Sequence, residues 1–472
     1  MAVGDVERGT DLLVIGGGPG GYAAAIRGAQ RGLDVTLVER DSYGGTCLNR
    51  GCIPSKALVS VAGLADDAGS AESIGVHADP VVDMGQTAAW IGDVVDRLSG
   101  AVEKLCKANG VTLVEGVAEF AGPNEARVRH EGEGRGAETL RFERAVVATG
   151  SRPVELPALP FDDDRVLDSA AALALDRVPD RLVVVGAGYI GMELSTAFAK
   201  LGADVTVVEA LDEALTGYED DVTRAVRDGA AAAGVEVRLG ERAVGLAEAD
   251  GAVLETETDE GTERYPADAV LVAVGRDPVT NTVNLDAVGL TPEPDGSLAV
   301  DETCRTDAEG VFAVGDVAGD PMLAHRAYRE GAVAAAVAAG DPEAVDDRAV
   351  PAAVFTDPEV ATVGLTADEA RDAGYEPAVG EMPFRASGRA LTTGHSDGFA
   401  RVVADAETGV VLGGQVVGRE ASELIAEVTL AVEMGATLVD LAATVHVHPT
   451  LTEAVHEAVE NARDEAIHTL NR

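Results

Sequence analysis

Lysine is almost missing from this chain of 472 residues. Of 36 basic residues only Lys56, Lys104, Lys107 and Lys200 are lysines, against 82 acidic ones, for a formal charge of −46. A field this negative repels nucleic acid and anionic membranes and excludes both as partners. No run of eighteen apolar residues occurs, so no membrane-spanning helix is expected. The stretch from Met1 to Thr10 has no apolar core of the signal-peptide kind, and a cytoplasmic location is expected. Aromatics are scarce at 3 %, yet apolar residues reach 46 % and the acids fall in short groups such as Glu219-Asp220-Asp221. That balance excludes disorder and leaves room for two to four folded domains. Only four cysteines are present, too few to staple a scaffold. Cys106 and Cys304 stand alone and read as core thiols.

The other two, Cys47 and Cys52, lie in Gly44-Gly45-Thr46-Cys47-Leu48-Asn49-Arg50-Gly51-Cys52-Ile53-Pro54-Ser55-Lys56. Residues five apart in a regular helix have Cα atoms roughly 8–9 Å apart, whereas a disulfide needs less than about 7 Å. A bridge between them therefore requires a distorted helix, for which Gly44, Gly45 and Gly51 supply freedom. A strained bridge of that kind exchanges readily. Two buried structural thiols remain an alternative reading, and a zinc site lacks a second pair of ligands. No metal site is expected.

Upstream, the apolar run Asp11 to Ile15 leads into Gly16-Gly17-Gly18-Pro19-Gly20-Gly21, a helical stretch from Tyr22 to Arg31, and a second run ending in Glu39. Strand, G-x-G-x-x-G (Gly16, Gly18, Gly21), helix, strand and acid form the dinucleotide fingerprint in its required order. The unit recurs 170 residues on, from position 16 to 186, with Gly186, Gly188, Gly191 and Glu209. Two units imply two dinucleotides. A carboxylate at Glu209 accepts from a ribose hydroxyl and repels a 2′-phosphate, so NAD is expected over NADP.

Between the units, Ile91, Val94, Val95, Leu98, Val102 and Leu105 predict an amphipathic helix over Trp90–Lys107, packed on the core. Residues Glu125 to Phe142 read as a hairpin layer, and Pro153 to Pro160 as a linker. Gly310-Val311-Phe312-Ala313-Val314-Gly315-Asp316 reads as a strand ending in an acid. From Val350 on, four strand-like runs precede helical stretches. Near the far end, His446-Val447-His448-Pro449-Thr450-Leu451-Thr452-Glu453 places Pro449 in a position suited to the first turn of a helix. Glu453 then lies close enough to orient the His448 imidazole. A surface histidine and a weak metal pair, His446 with His448, compete with that reading.

The thirteen-residue cysteine stretch resembles the redox-disulfide segment of the pyridine nucleotide–disulfide oxidoreductases, a flavoenzyme family. His-Pro-Thr-x-x-Glu at 448–453, Ala148-Thr149-Gly150, Gly315-Asp316 and Met322-Leu323-Ala324-His325 resemble further segments of it. The wording is closest to the branch that oxidises dihydrolipoyl groups. The resemblance implies an α/β chain with two Rossmann-like domains of the glutathione-reductase type and a C-terminal α+β dimerisation domain. Its boundaries would be 1–152 for the first part of the FAD domain, 153–279 for the NAD domain, 280–349 for the second FAD part and 350–472 for the interface. It implies FAD contacts from Gly16, Gly18, Gly21, Glu39, Lys56, Ala118, Gly150, Asp316 and Ala324. NAD contacts would come from Gly186, Gly188, Gly191, Glu193, Glu209, Gly275 and Arg276, with Glu193 an ion-pair partner of Lys56. Cys47 would be the outer sulfur, Cys52 the sulfur beside the flavin, and His448, oriented by Glu453, the acid–base group of the other subunit. A homodimer follows, as does a lipoyl-bearing acyltransferase or carrier protein as substrate. A sibling with a cysteine pair near its C-terminus is excluded, because 461–472 has none. The acidic balance is similar to that of proteins from salt-loving organisms, in which salt screens self-repulsion.

Overall fold

The computed structural model describes residues 7–130, 136–247 and 252–471. Residues 1–6, 131–135 within the expected 125–142 hairpin, 248–251 and 472 lie outside them.

Glu7–Ile15 is the central strand of the first sheet. Leu12, Leu13 and Val14 are completely buried, as a parallel strand covered on both faces requires. It pairs in parallel with Val35–Glu39 on one side (Leu12 opposite Val35) and Ala137–Val147 on the other (Val14 opposite Val146). Thr112–Glu115 extends the sheet beyond Val35–Glu39, while Glu125–Arg129 and Val117–Gly122 add antiparallel strands at the other end. Val311–Ala313 joins in parallel beside Ala145–Val147, so a segment more than 160 residues later in the chain (147 to 311) completes this sheet. Each fully buried Leu or Val side chain here contributes about 1.5–3 kcal/mol.

The intervening chain builds a second parallel sheet from Val235–Leu239, Asp204–Glu209, Arg181–Val185, Ala269–Val272 and Val166–Leu167, in that order. Three antiparallel strands, Arg242–Leu246, Ala252–Thr258 and Gly261–Ala267, form a separate layer. The chain passes into and out of this unit through a two-stranded ribbon in which Ser151–Pro153 pairs with Arg276–Pro278.

A third unit is a five-stranded antiparallel sheet, ordered Ala352–Val354, Val360–Gly364, Val411–Val417, Phe399–Asp405, Pro377–Pro383. Strand Pro377–Pro383 lies so close to the last helix that a Cβ on Gly380 would sit 1.9 Å from the Ala458 carbonyl oxygen. Arg401 joins this sheet to the second unit: it is nearly buried and pairs with Glu219, Asp221 and Glu381.

Eight helices matter below: α1 (Pro19–Gln30), α2 (Gly45–Arg50), α3 (Cys52–Ser70), α4 (Met84–Ala108), α5 (Tyr189–Lys200), α6 (Ala324–Ala338), α7 (Ala421–Met434) and α8 (Glu453–Ala462). Cys106 and Cys304 are buried core thiols. Helix α4 forms where expected but does not bury its whole apolar face. Ile91 and Val102 are buried, whereas Leu98 is 37 % and Leu105 54 % exposed. Helical period identifies an apolar stripe, but not whether the same chain covers it.

Candidate active site

Both fingerprints fold to the same geometry. A Cβ on Gly16 would lie 2.3 Å from the Ala148 carbonyl oxygen, and one on Gly186 2.5 Å from that of Ala273. A Cβ on Gly21 would lie 1.8 Å from the Gly16 oxygen, and one on Gly191 2.0 Å from the Gly186 oxygen. These four glycines permit close strand–helix packing. The middle glycines differ: a Cβ on Gly188 would meet nothing within 4 Å, and one on Gly18 only the Gly45 Cα at 3.9 Å. Nothing within the fold demands glycine there, but the backbone approach of a pyrophosphate does. The acids match too. Glu39 accepts from the Gly17 N–H at 2.6 Å and the Asp41 N–H at 2.8 Å, and Glu209 from the Ala187 N–H at 2.7 Å and the Leu211 N–H at 3.0 Å. A carboxylate has about four lone-pair sites, so each retains capacity for ribose hydroxyls.

An open cleft runs along the first fingerprint toward α5. Gly16, Gly18, Glu39, Cys47, Cys52, Lys56, Ala118, Gly150, Asp316 and Ala324 line it, and so do Glu193 and Arg276 from the second unit. Gly21, Gly186, Gly188, Gly191, Glu209 and Gly275 are not on its wall. The glycine cradle and the paired acid on this cleft fit an FAD dinucleotide, and the second cradle fits NAD.

The cysteine segment is positioned from the fingerprint outward. A Cβ on Gly45 would lie 2.5 Å from the Gly18 Cα, so only glycine lets α2 dock there. The Asn49 side-chain amide donates to the carbonyls of Gly45 at 2.9 Å and Tyr43 at 3.2 Å, closing the turn before α2. Helix α2 ends at Arg50, Gly51 adopts φ −138° and ψ −109°, and α3 starts at Cys52. The helix is therefore broken between the two cysteines, as their spacing requires of any pair that bridges. Both are thiols in this structure, Cys47 half-buried and Cys52 exposed to the cleft. The pair is asymmetric. The hydrogen bond from Cys47 brings the Cys52 thiol down to about 7, with the Lys56 charge acting in the same direction against burial. Cys47 is pushed up by the same hydrogen bond, by burial and by the neighbouring thiolate. Lys56 Nζ lies 2.7 Å from Glu193 Oε2 and 4.5 Å from the centroid of the Phe355 ring, while Glu193 Oε1 accepts from the Phe355 N–H at 2.9 Å.

On the opposite wall, Asp316 accepts from the Ser151 hydroxyl at 2.5 Å, and Ser151 accepts from Arg276 Nε at 2.8 Å. Behind them Glu330, 4 % exposed, accepts from the Gly315 N–H at 2.7 Å and pairs with Arg326 at 2.6 Å. Sequence reading missed Ser151, Glu330 and Arg326. The one available signal was a lone acid on the small-residue face of α6.

His448 is elsewhere. It projects from the third unit with 82 % of its side chain exposed and does not line the cleft of its own chain. Its Nδ1 lies 2.9 Å from Glu453 Oε1, and Glu453 Oε2 accepts from the Thr450 N–H at 2.8 Å. Burial works to raise the Glu453 carboxyl, but the Thr450 and His448 hydrogen bonds and the histidine charges outweigh it and hold it below its usual range. Pro449 does not open the helix: the His448–Pro449 bond is cis and α8 begins at Glu453. The Glu453 side chain accepts from the Thr450 N–H in the loop ahead of the helix. Among the described residues no His, Cys, Asp and Glu cluster is set to hold a metal ion, and no helix is long and apolar enough to cross a membrane.

Residues 10–331 match the family profile described as pyridine nucleotide-disulphide oxidoreductase, and 350–459 match the dimerisation domain of the same family. The chain belongs to the pyridine nucleotide–disulphide oxidoreductases, flavoenzymes that work with FAD and NAD, and the dimerisation domain makes it a homodimer. It is 62 % identical to dihydrolipoyl dehydrogenase of Haloferax volcanii and 60 % identical to that of Halobacterium salinarum, with all of each chain covered. The Geobacillus stearothermophilus dihydrolipoyl dehydrogenase is 45 % identical, also over all of both chains. Among solved structures, LpdA of Mycobacterium tuberculosis superposes with a TM-score of 0.89 at 30 % identity, covering 95 % of this chain and 99 % of that one.

Proposed function

We propose that the chain is a dihydrolipoyl dehydrogenase, oxidising protein-bound dihydrolipoyl groups to lipoyl with reduction of NAD⁺. The cysteine pair carries the reading: the helix break at Gly51 sets Cys47 and Cys52 on one cleft with Lys56, the Cys52 thiol brought down to about 7 and the Cys47 thiol pushed up. Full-length identity to the dihydrolipoyl dehydrogenases supports it. His448 of one subunit takes a proton from a dihydrolipoyl thiol, since only thiolate is nucleophilic. The thiolate attacks Cys47 of the partner's Cys47–Cys52 disulfide, giving a mixed disulfide and releasing Cys52 as thiolate. The second substrate thiol attacks the lipoyl sulfur joined to Cys47 and closes the lipoyl ring; the Cys47–sulfur bond breaks, the proton of that thiol passes to the departing Cys47, and the electron pair now resides on the cysteine couple. Gly16, Gly18 and Glu39 would hold FAD along the cleft, where it would supply the two-electron chemistry that links the cysteine couple to NAD⁺. Lys56 balances the Cys52 thiolate, Glu193 anchors Lys56, and Glu453 holds the His448 tautomer and stabilises its imidazolium.

The FAD domain comprises 1–152 and 280–349, the NAD domain 153–279 and the interface 350–472 in this reading. The substrate is the lipoyl group of an acyltransferase or carrier protein, and a thiol pair that cycles suits the cytoplasm. The test is NAD⁺ reduction by dihydrolipoamide in high salt, beside glutathione disulfide with NADPH. Turnover of the second pair alone would overturn the assignment.

A further inference from the structure

The sequence sets His446 beside His448, and the chemistry above leaves it without a task. It is the buried member of the two, 10 % exposed in its side chain. Its Nε2 lies 2.8 Å from Glu427 Oε1 on α7, and its Nδ1 lies 3.0 Å from the Thr444 carbonyl oxygen. The ring is thus held on both edges, by a carboxylate on α7 and by a backbone carbonyl of its own loop. The ring also tilts against His456 of α8, with centroids 5.1 Å apart. The charged and titratable groups facing it are thus Glu427 from α7, and His456 and Glu453 from α8, with Glu460 paired behind His456 at 3.8 Å. The loop bearing both histidines is fastened at two points by the same kind of couple: His446–Glu427 to α7 and His448–Glu453 to α8.

We propose that His446, through Glu427, is the positioning residue for the acid–base histidine. This rests on the dithiol reading above. Among the described residues the His448 ring is bonded to Glu453 and is otherwise largely exposed. Its aim at a sulfur on another subunit depends on the loop that carries it. A misplacement of about 1 Å costs on the order of 10²-fold in rate. His446 supplies what the exposed ring lacks, a buried two-sided anchor two residues away.

The test exploits the two ring nitrogens. Glutamine at 446 retains an amide donor where Nε2 sits, and asparagine retains one only near Nδ1. In the full-length dimer, His446→Gln is expected to keep dihydrolipoamide turnover within about twofold. His446→Asn, His446→Ala and Glu427→Ala are expected to lower its kcat roughly ten- to a hundredfold. NADH oxidation by ferricyanide, which draws electrons without a dithiol, stays unchanged in all four. The proposal is overturned if His446→Ala turns over dihydrolipoamide like wild type, if Gln and Asn fall equally, or if both activities fall together. Wild-type enzyme inactive with dihydrolipoamide would instead sink the functional assignment itself.

Discussion

Removing the Cys47 thiol from the reduced enzyme should disarm Cys52 more than removing the Lys56 charge does. The hydrogen bond from Cys47 is the largest influence holding Cys52 at about 7, ahead of Lys56. A hydrogen bond to a charged group contributes about 1.5–3 kcal/mol. The lower end applies because Cys52 is open to the cleft, and about 1.4 kcal/mol is a tenfold change in equilibrium. Cys47→Ala should therefore cut the thiolate-to-thiol ratio of Cys52 at neutral pH by roughly tenfold, and Lys56→Met by less. Cys47→Ser, which keeps a donor, should lie between Cys47→Ala and wild type. The sign follows from the lowered value: thiolate persists above about 7 and is lost as pH falls through it. The assay is the pH dependence of thiolate absorbance and of alkylation by iodoacetamide in the reduced protein. Unchanged titration in Cys47→Ala together with a large rise in Lys56→Met would refute the ordering.

Gly18→Ala should release FAD yet leave the melting temperature of the apoprotein within a few degrees, since its Cβ would meet only the Gly45 Cα at an ordinary contact distance of 3.9 Å, whereas Gly21→Ala should prevent folding because its Cβ would overlap the Gly16 oxygen. Absorbance of bound flavin and thermal melting distinguish the two. Glu209→Ala should lower the preference for NAD⁺ over NADP⁺ by about tenfold or more, read as the ratio of kcat/KM values. His448→Gln should lower dihydrolipoamide oxidation by about 10²–10⁴. Glu453 is depressed in the folded protein, so its stabilising bond to His448 is complete above the ordinary carboxylate range and lost as pH falls through the lower folded value; Glu453→Gln should flatten that acid limb in thermal melts. With a formal charge of −46 the melting temperature should rise between low and molar KCl, and equal values would contradict the screening argument.

The parts legible in the sequence are those in which backbone geometry constrains residue type. Gly16, Gly21, Gly186 and Gly191 are required by packing, so the duplicated unit could be read without coordinates. The strand Pro377–Pro383 was not legible, because Pro377, Gly380 and Pro383 carry turn signals that tertiary packing overrides. The layer of Arg242–Leu246, Ala252–Thr258 and Gly261–Ala267 escaped notice because its exposed face is polar and its runs are short. Leu98 and Leu105 show that period reports an apolar face and not its cover. Ser151 and Glu330 act through hydrogen bonds between segments more than a dozen residues apart, which no local pattern encodes. Pro449 favours a first helical turn by its ring geometry alone, yet α8 begins four residues later, at Glu453.

The claim on which the rest stands is that the cysteines of one subunit are served by the histidine of the other. Two inactive homodimers, Cys47→Ser and His448→Gln, can be dissociated, mixed and reassembled. A site shared between chains gives each hybrid dimer one intact combination of two, and dihydrolipoamide oxidation should return to about half the wild-type rate per hybrid. No recovery in verified hybrids would place both groups in one chain and contradict the shared site.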